Sequence, residues 1–391
     1  MQIFENTEIA FRSRSTGELK KASLLFRFMS RQLLVKISGV LANLGLQMSI
    51  PLGWLVRPTV FSHFCGGETL DESRSVIEHL AKFRVRSILD YAAENQSTDK
   101  NVQEVMKETL RTIDFASENS DIPFAVFKPT AFAPVSVLSA ASSYAPLSTK
   151  EKKEIEKFEN NISRLCQAAY EKGVPVLIDA EESYYQAIVD KVASEMMEKY
   201  NKDKAVVFNT LQMYRHDRLK FLNECITISK EKNYHLGIKL VRGAYMDQER
   251  ERSRKMGYPS PIYPDKESTD KAFNTALSTC IGNLDRVSVF VGTHNEDSLL
   301  ILMDLLKKIR LKNDDSRVYV SQLYGMSDHI SFNMAVHGYN VAKYLPYGPV
   351  TFLLPYLIRR AEENKSVSGQ AGRELRLIEI ELERRKKSNN P

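Results

Sequence analysis

The amino-acid sequence predicts an α/β protein built as a distorted (β/α)8 barrel of the TIM type, with a helical arm before the barrel and one more helix after it. Two observations predict this fold. From residue 85 onward, a short apolar, β-branched run is followed by a longer amphipathic stretch, and the cycle occurs eight times. Polar residues follow the apolar runs, as expected where the carboxyl ends of parallel strands meet at one face of a barrel.

The eight apolar runs are the predicted strands. The segments between them, such as 150–172, 185–200, 217–232 and 297–311, have apolar residues at helical spacing. Alternating strands and helices indicate a parallel sheet, and eight repeats favour a closed barrel. An open doubly wound sheet is the alternative, but no GxGxxG follows the first run. The runs are 85–91, 124–129, 175–180, 205–212, 237–242, 287–294, 317–323 and 340–345.

The composition is that of a globular protein in a reducing compartment, and we expect a cytoplasmic location. Of 391 residues, 43% are hydrophobic and 27% are charged. The four cysteines are widely spaced without a CxxC motif, so we expect neither a disulfide framework nor a metal site. A net charge of +6 is modest for this length and accompanies no nucleic-acid motif, so we expect no nucleic-acid partner.

The N-terminal segment allows three interpretations. Between residues 12 and 36 there are seven basic residues and one acid, and residues 37–56 then carry no charge. A transmembrane helix would need a more apolar run, and a transit peptide would avoid early acids. We favour helices that pack on the main domain and contact a membrane surface peripherally through their basic face. The predicted organisation is an arm at 1–84, a barrel at 85–368 and a charged helical tail at 369–391.

Polar residues at the ends of the eight runs predict a site of mixed charge. A strand that ends in solvent also becomes polar, so each residue alone is weak evidence. Together they include acids, bases and a tyrosine that one face of a barrel would bring together. They are Asp90, Lys128, Asp179, Gln212, Arg242, His294, Gln322 and Tyr344.

The segment after the eighth run predicts a helix with a binding function. In the predicted helix 351–364, Tyr356, Arg359, Arg360 and Glu363 lie on one side. Two adjacent guanidinium groups suit a carboxylate or a phosphate, because each presents parallel donors. The alternative is a solvated helix face with an internal Arg359–Glu363 pair. Beside the end of a barrel strand, we favour a carboxylate clamp formed by the two arginines.

These motifs resemble the proline dehydrogenase family, in which an FAD-binding distorted barrel carries its substrate clamp on the last helix. The family ending, Tyr-x-Pro and then Tyr-Leu-x-Arg-Arg-x-x-Glu-Asn, is matched by Tyr344, Pro346, Tyr356, Leu357, Arg359, Arg360, Glu363 and Asn364. Six further matches follow in order: FKPT (127–130), IDAEE (178–182), TLQMY (210–214), LVRGAY (240–245), GTHN (292–295) and QLYGM (322–326). The resemblance covers roughly residues 60–370.

The resemblance implies oxidation of L-proline to 1-pyrroline-5-carboxylate, the first step of proline degradation to glutamate. A hydride leaves ring carbon C5 for flavin N5, and the electrons pass to a quinone. Asp179 is implied to position Tyr344 and the clamp, and Glu363 to orient the arginines. The residues implied to bind the substrate are Lys128, Leu240, Tyr245, Leu323, Tyr344, Tyr356, Arg359, Arg360 and Glu363.

The same resemblance implies contacts with FAD. Gly243 is expected to allow close approach of the backbone. Lys239 departs from the arginine that bacterial members often carry, and Lys266 and Thr269 are expected near the phosphates or the adenine. We interpret His63 and His79 as structural. The residues implied to bind the cofactor are Gln212, Lys239, Val241, Arg242, Gly243, Thr293, His294 and Asn295.

Other functions stay open at this point. Tyr344 is expected to crowd a ring hydroxyl and so to favour proline, whereas a hydroxyproline dehydrogenase is the nearest alternative. A Schiff-base lyase or aldolase using Lys128 or Lys239 is an enzyme of a different class. A third possibility is a membrane-associated barrel without catalytic function. In a eukaryotic source the family would predict a mitochondrial location, and in a bacterium a peripheral one at the inner membrane.

Overall fold

A computed structural model describes residues 3–29, 56–93, 98–143, 145–366 and 370–388, with the backbone alone at 361–366 and 370–371. Eight parallel strands form a closed barrel in chain order, which confirms the predicted (β/α)8 fold. The strands are β1 (Arg86–Tyr91), β2 (Ala125–Phe127), β3 (Val176–Ile178), β4 (Val207–Gln212), β5 (Leu236–Val241), β6 (Val287–Gly292), β7 (Val318–Leu323) and β8 (Val341–Tyr347).

Helices precede the barrel, alternate with its strands and follow it. Within the described residues they are α1 (Thr7–Ala10), α2 (Thr16–Met29), α3 (Ser62–Phe64), α4 (Leu70–Ala81), α5 (Asp99–Ser117), α6 (Val135–Ser142), α7 (Thr149–Glu171), α8 (Gln186–Tyr200), α9 (Arg218–Glu231), α10 (Met246–Met256), α11 (Lys266–Ile281), α12 (Glu296–Lys308), α13 (Asp328–Val336), α14 (Val350–Ser366) and α15 (Gln370–Ser388). Short 3-10 turns occur at Ile3–Glu5, Pro129–Ala131 and Ser183–Tyr185, and a π-helical turn at Arg57–Phe61.

Local sequence explains where these helices begin and which face they bury. Helix α7 starts after Ser148, whose hydroxyl accepts the Glu151 amide while the Glu151 carboxylate accepts the Ser148 amide. Its apolar residues recur at helical spacing, and Ile155, Phe158 and Ile162 are buried. Helix α14 confirms the helix predicted at 351–364 and contains Pro355 early in its length, where few intrahelical hydrogen bonds are lost.

The chain divides into two compact units: a first unit of Met1–Ala92 and Gln322–Pro391, and a second unit of Ala93–Ser321. In the second unit, an aromatic layer fills the barrel interior at the amino ends of the strands. The ring of Phe124 lies 5.4 Å from that of Phe208, 5.1 Å from Phe290 and 4.9 Å from Tyr319. Gly237 leaves room for this layer, because a Cβ there would lie 2.8 Å from the Phe208 ring.

In the first unit, strands β1 and β8 pair in parallel, and the N-terminal and C-terminal helices pack together. Phe11, Leu19 and Phe26 form one buried cluster with Leu377 and Ile378. The arm and the tail thus share a core, while the three-part division at residues 84 and 368 stays a prediction. No helix in the described ranges combines the length and apolar character needed to cross a bilayer. The uncharged run at 37–56 lies outside the described residues except for Val56.

Candidate active site

The second unit carries a buried ion pair just beyond the aromatic layer. Lys239, on β5, places its Nζ 2.5 Å from Oδ1 of Asp179, which follows β3. The two side chains are 7% and 13% exposed, and the Lys239 ammonium lies 5.9 Å from the centre of the Phe290 ring. Lys239 therefore faces the barrel interior. The ion pair with Asp179 fixes the position of the Lys239 ammonium, which suits electrostatic binding of a cofactor or substrate group.

Glu181 joins three of the loops that follow the strands, and sequence reasoning had not assigned it a role. Its buried carboxylate accepts the amide of Thr130 at 3.0 Å and the hydroxyl of Thr130 at 2.8 Å. Its backbone carbonyl accepts the side-chain amide of Gln212, at the end of β4. One residue therefore fixes the loop after Lys128 and the orientation of Gln212. The only signal in the sequence is that Glu181 is the first acid after Asp179 in the IDAEE motif.

Arg242 is held in a fixed geometry at the end of β5. Its guanidinium donates to Asp270 at 2.7 Å, to the Thr293 hydroxyl at 2.7 Å and to the Ser298 hydroxyl at 2.9 Å. The ring of Phe273 lies 4.3 Å from the guanidinium carbon. Burial lowers the pKa of Arg242 and outweighs the opposing effect of Asp270. The result is a rigid cation beside a hydroxyl, which is suited to an anionic group.

The loop after β6 continues this polar region. The Thr293 hydroxyl accepts the amide of Asn295 at 3.1 Å, and the Asn295 side chain caps helix α12 by accepting the Ser298 amide at 2.9 Å. His294, between them, is half-buried. Lys266 and Thr269 lie in helix α11, and the ammonium of Lys266 binds the same Asp270 as Arg242 does. The structure therefore brings Arg242, Thr293 and Asn295 together, as predicted.

The residues of the β5 motif alternate between the two faces of the strand. Leu240 is completely buried and lies on the face of β5 opposite to Lys239, and its contact with the substrate stays a prediction. The face of Lys239 is shared by Val241 instead. Gly243 has φ +131°, and a Cβ there would lie 2.6 Å from the Tyr214 ring. The glycine therefore makes room for a tyrosine of its own unit, and its expected approach to a cofactor stays a prediction.

In the first unit, helix α14 presents the predicted carboxylate clamp. Arg359 and Arg360 are half-buried, and the Arg360 guanidinium lies 5.3 Å from the centre of the Tyr356 ring. Tyr356 and Leu357 belong to a buried apolar cluster against which Leu323 packs. The helix thus carries two half-buried arginines beside an apolar wall, and the Arg360 guanidinium lies near one of the rings of that wall. The side chains of Glu363 and Asn364 lie outside the described residues.

Tyr344 lies on β8 in the same unit and is 8% exposed. Its carbonyl oxygen accepts the amide of Tyr324, the residue after Leu323, at 2.9 Å. Backbone hydrogen bonding therefore joins the segments that carry Tyr344 and Leu323. Of the remaining predicted residues, Lys128 precedes the turn at Pro129–Ala131 and Tyr245 precedes helix α10, and both are half-buried in the second unit.

A closed (β/α)8 barrel with buried cations and carboxylates at its strand ends is the architecture of a barrel enzyme. The particular class follows from comparison with known families. The model of the proline dehydrogenase family matches residues 73–373, and the chain belongs to this family of oxidoreductases. The family resemblance seen in the sequence is thereby confirmed.

Several proteins are similar along most of the chain. A carbapenem antibiotics biosynthesis protein, CarD, of Pectobacterium carotovorum is 36% identical over 83% of this chain and 84% of its own length. Proline dehydrogenase 1 of Dictyostelium discoideum, a mitochondrial protein, is 31% identical over 97% of this chain and 74% of its own length. Hydroxyproline dehydrogenase of Xenopus laevis is 30% identical over 96% of this chain and 88% of its own length.

A solved structure has the same fold. Proline utilization A from Bdellovibrio bacteriovorus, inactivated by N-propargylglycine, superposes with a TM-score of 0.71 at 19% identity. The match covers 93% of this chain and 37% of that chain. At this identity the likeness concerns the barrel fold.

Proposed function

We propose that this protein oxidises L-proline to 1-pyrroline-5-carboxylate with bound FAD. The observation that carries the proposal is helix α14, on which the adjacent, half-buried Arg359 and Arg360 follow an apolar wall formed by Tyr356, Leu357 and Leu323, with the Arg360 guanidinium 5.3 Å from the centre of the Tyr356 ring. Proline has the complementary chemistry, because it joins a carboxylate to a small apolar ring. Lys128, in the second unit, is a further cation that the family resemblance implies for substrate binding.

The residues of the second unit fit FAD. Arg242 with Thr293 offers donors to a pyrophosphate, and Gln212 and Lys239 offer donors to the carbonyl-rich edge of a flavin. The Thr210 and Ser321 hydroxyls are buried and have no hydrogen-bond partner within the described residues. Thr210 is the register partner of Lys239. Buried hydroxyls are expected to have a hydrogen-bond partner, and a polar cofactor bound near Lys239 would supply the acceptors for Thr210 and Ser321.

The proposed mechanism needs no protein nucleophile. When bound, the flavin supplies a hydride acceptor at N5. Arg359 and Arg360 bind the substrate carboxylate and so fix the direction of the C5–H bond, which is an orientation effect. Loss of the hydride requires the nitrogen lone pair, so the neutral amine is the reactive form. The apolar wall at Leu323 and Tyr356 favours that form and excludes water.

Proline is the preferred substrate in this proposal, and a hydroxyproline is the second candidate. The Xenopus relative favours the second, since its name is hydroxyproline dehydrogenase. Tyr344 favours the first: it is bulky and buried where, by the family resemblance, hydroxyproline-preferring members carry a smaller residue. The ratio of kcat/KM for the two substrates separates the candidates.

We also infer that the electrons pass to a membrane quinone, as the family resemblance implies. Helix α2 suits peripheral contact, because Leu24 is 72% exposed and Phe28 is 41% exposed, next to the exposed Lys20 and Lys21. Replacing Leu24 with Glu should reduce co-sedimentation with anionic lipid vesicles and leave proline oxidation with a soluble dye unchanged. Equal co-sedimentation of the variant and the unmodified protein would remove this surface from the proposal.

The test of the main proposal is an anaerobic titration of the purified protein with L-proline. Bound flavin gives an absorbance band at about 450 nm, which should disappear as proline is added. D-proline is the control and should leave the band unchanged. A colourless protein that takes up no added FAD, or a flavin that proline does not reduce, would overturn the proposal.

A further inference from the structure

The loop at 324–328, between β7 and helix α13, has a backbone that other parts of the chain must hold in place. Gly325 has φ +79° and Ser327 has φ +51°, so two of its five residues adopt the left-handed conformation. A serine in that conformation costs free energy unless its surroundings fix it. The loop directly follows Leu323 and contains most of the QLYGM motif.

Strand β8 provides the first set of contacts to this loop. The amide of Tyr324 donates to the carbonyl oxygen of Tyr344 at 2.9 Å. The neighbouring Lys343, whose side chain is completely buried, donates to the carbonyl of Met326 at 2.5 Å and to Asp328 at 2.8 Å. The loop is therefore tied to β8 at Tyr344 by the backbone and at Lys343 by the side chain.

The two terminal segments provide the second set. Arg14, just before helix α2, donates from Nε to Asp328 at 2.8 Å, and the two side chains are 16% and 8% exposed. Glu374, on helix α15, accepts the backbone amide of Ser327 and is 4% exposed. Charges from both ends of the chain thus meet at one short loop.

Burying a group of charges in this way costs desolvation free energy, so it is an inefficient way to hold helices together. Burial acts to raise the pKa of Asp328, but Lys343 and Arg14 outweigh it, so that the pKa lies well below its ordinary value and the carboxylate is charged. Apolar side chains of similar size would hold two helices at least as firmly, without the cost of desolvation. Directional ionic contacts have a different advantage, because they fix the geometry of the backbone that they bind, here the 324–328 loop.

We propose that Arg14 and Glu374 are positioning residues for the substrate side of the reaction. They fix the 324–328 loop, and the loop fixes Leu323 and the backbone of Tyr344. The inference rests on the proposed function, because that function places Leu323 and Tyr344 at the substrate ring. It gives the terminal helices, which flank the barrel in sequence, a role in substrate fit.

The experiment compares Arg14→Met with Arg14→Lys and Arg27→Gln in the full-length, FAD-loaded protein. Arg27 is the matched control, because it pairs with Glu379 between helices α2 and α15, and the two side chains are 61% and 42% exposed. We expect Arg14→Met to lower kcat/KM for L-proline by about tenfold and to change its ratio to that for trans-4-hydroxy-L-proline. Arg14→Lys should restore most of the loss, and Arg27→Gln should behave as the unmodified protein.

A purely structural role for Arg14 would give a different result. It would lower the melting temperature and leave the substrate ratio and kcat/KM, measured well below that temperature, unchanged; this outcome overturns the inference. If Arg14→Met does not fold, Glu374→Gln decides, since glutamine still accepts the Ser327 amide but lacks the charge. We then expect kcat/KM to fall by about threefold, and no change overturns the inference. If the unmodified protein fails to oxidise proline, the proposed function itself is wrong.

Discussion

The two units of this chain bury charged groups in different ways. In the second unit, Lys239 pairs with Asp179, and Glu181 binds neutral donors on neighbouring loops. These partners are 60 residues apart or fewer, and each lies on a barrel strand or in the loop that follows one. In the first unit, Arg14 reaches Asp328 across 314 residues, and Glu374 joins from the last helix.

This difference shows two ways to build a precise polar site. The repeating β/α pattern brings the second unit's groups together, because the end of every parallel strand lies at the same face of the barrel. No repeat brings Arg14 to Asp328, so the fold of the terminal helices must do so. By our proposals the cofactor contacts lie in the second unit, and the carboxylate clamp with its apolar wall lies in the first unit. Changes in the two units should therefore have separable effects.

The largest effect is expected from Lys239→Met in the second unit. The variant removes the lysine partner of Asp179, a carboxylate that is only 13% exposed. Breaking a buried pair from one side should lower the free energy of unfolding by about 3 kcal/mol, measured with urea. Lys191→Met is the control, because Lys191 and Glu159 are 54% and 34% exposed and their pair should contribute less than about 0.5 kcal/mol. Equal losses in the two variants would contradict the buried pair.

A smaller effect, confined to substrate binding, is expected from Arg359→Met in the first unit. Loss of one guanidinium group should raise KM for L-proline at least about tenfold, or about 1.4 kcal/mol, while the flavin content per protein stays constant. Arg376→Met, an exposed change on helix α15, should leave KM unchanged. An unchanged KM in the Arg359→Met variant would contradict the assignment of Arg359 to the carboxylate clamp. A parallel loss of flavin would show that the two units cannot be separated in this way.

Tyr344→Ser is expected to change substrate choice within the first unit. A serine leaves space for a ring hydroxyl, so kcat/KM for trans-4-hydroxy-L-proline relative to L-proline should rise by about fivefold. Tyr344→Phe keeps the bulk of the ring and should leave the ratio near its original value. Steady-state kinetics with both substrates measure this ratio of kcat/KM values. A ratio unchanged in the serine variant would mean that Tyr344 does not crowd the hydroxyl.

The barrel was predictable because its pattern is local. The run at 205–212, for example, contains the whole of β4, and the clamp helix was recognised from its spacing of polar residues. The apolar run at 237–242 does not by itself reveal which of its residues face the barrel interior. The contacts of Lys239 show which side of β5 faces the barrel interior.

Other parts of the candidate site left little or no signal in the sequence. Arg14 is one of seven basic residues in its segment, and nothing in their spacing distinguishes it. Glu181 acts partly through its backbone carbonyl, a group that every residue has and that the residue type therefore does not reveal. The requirement for Gly243 depends on the ring of Tyr214, a partner on another strand's loop. These three features depend on tertiary contacts, which local patterns cannot contain.

The smallest effect is expected from His63→Asn, which tests the electrostatics of the first unit. Burial and the nearby charge of Arg14 lower the pKa of His63 to about 3, and the ring donates from Nε2 to the carbonyl of Gly325 at 2.9 Å. The unfolded chain binds a proton at His63 below a pKa of about 6.5, whereas the folded chain does not until about pH 3. Stability should therefore fall as the pH drops through that window.

Asparagine can keep the hydrogen bond to Gly325 but does not titrate. Between pH 7 and pH 5 the variant should lose less stability than the unmodified protein, by up to about 1 kcal/mol because the ring is only half-buried. Urea unfolding across this range measures the difference, and the values at pH 8 account for any loss of packing. Parallel pH profiles would mean that the ring is protonated in the folded state, so that Arg14 exerts less influence beside the 324–328 loop than its geometry indicates.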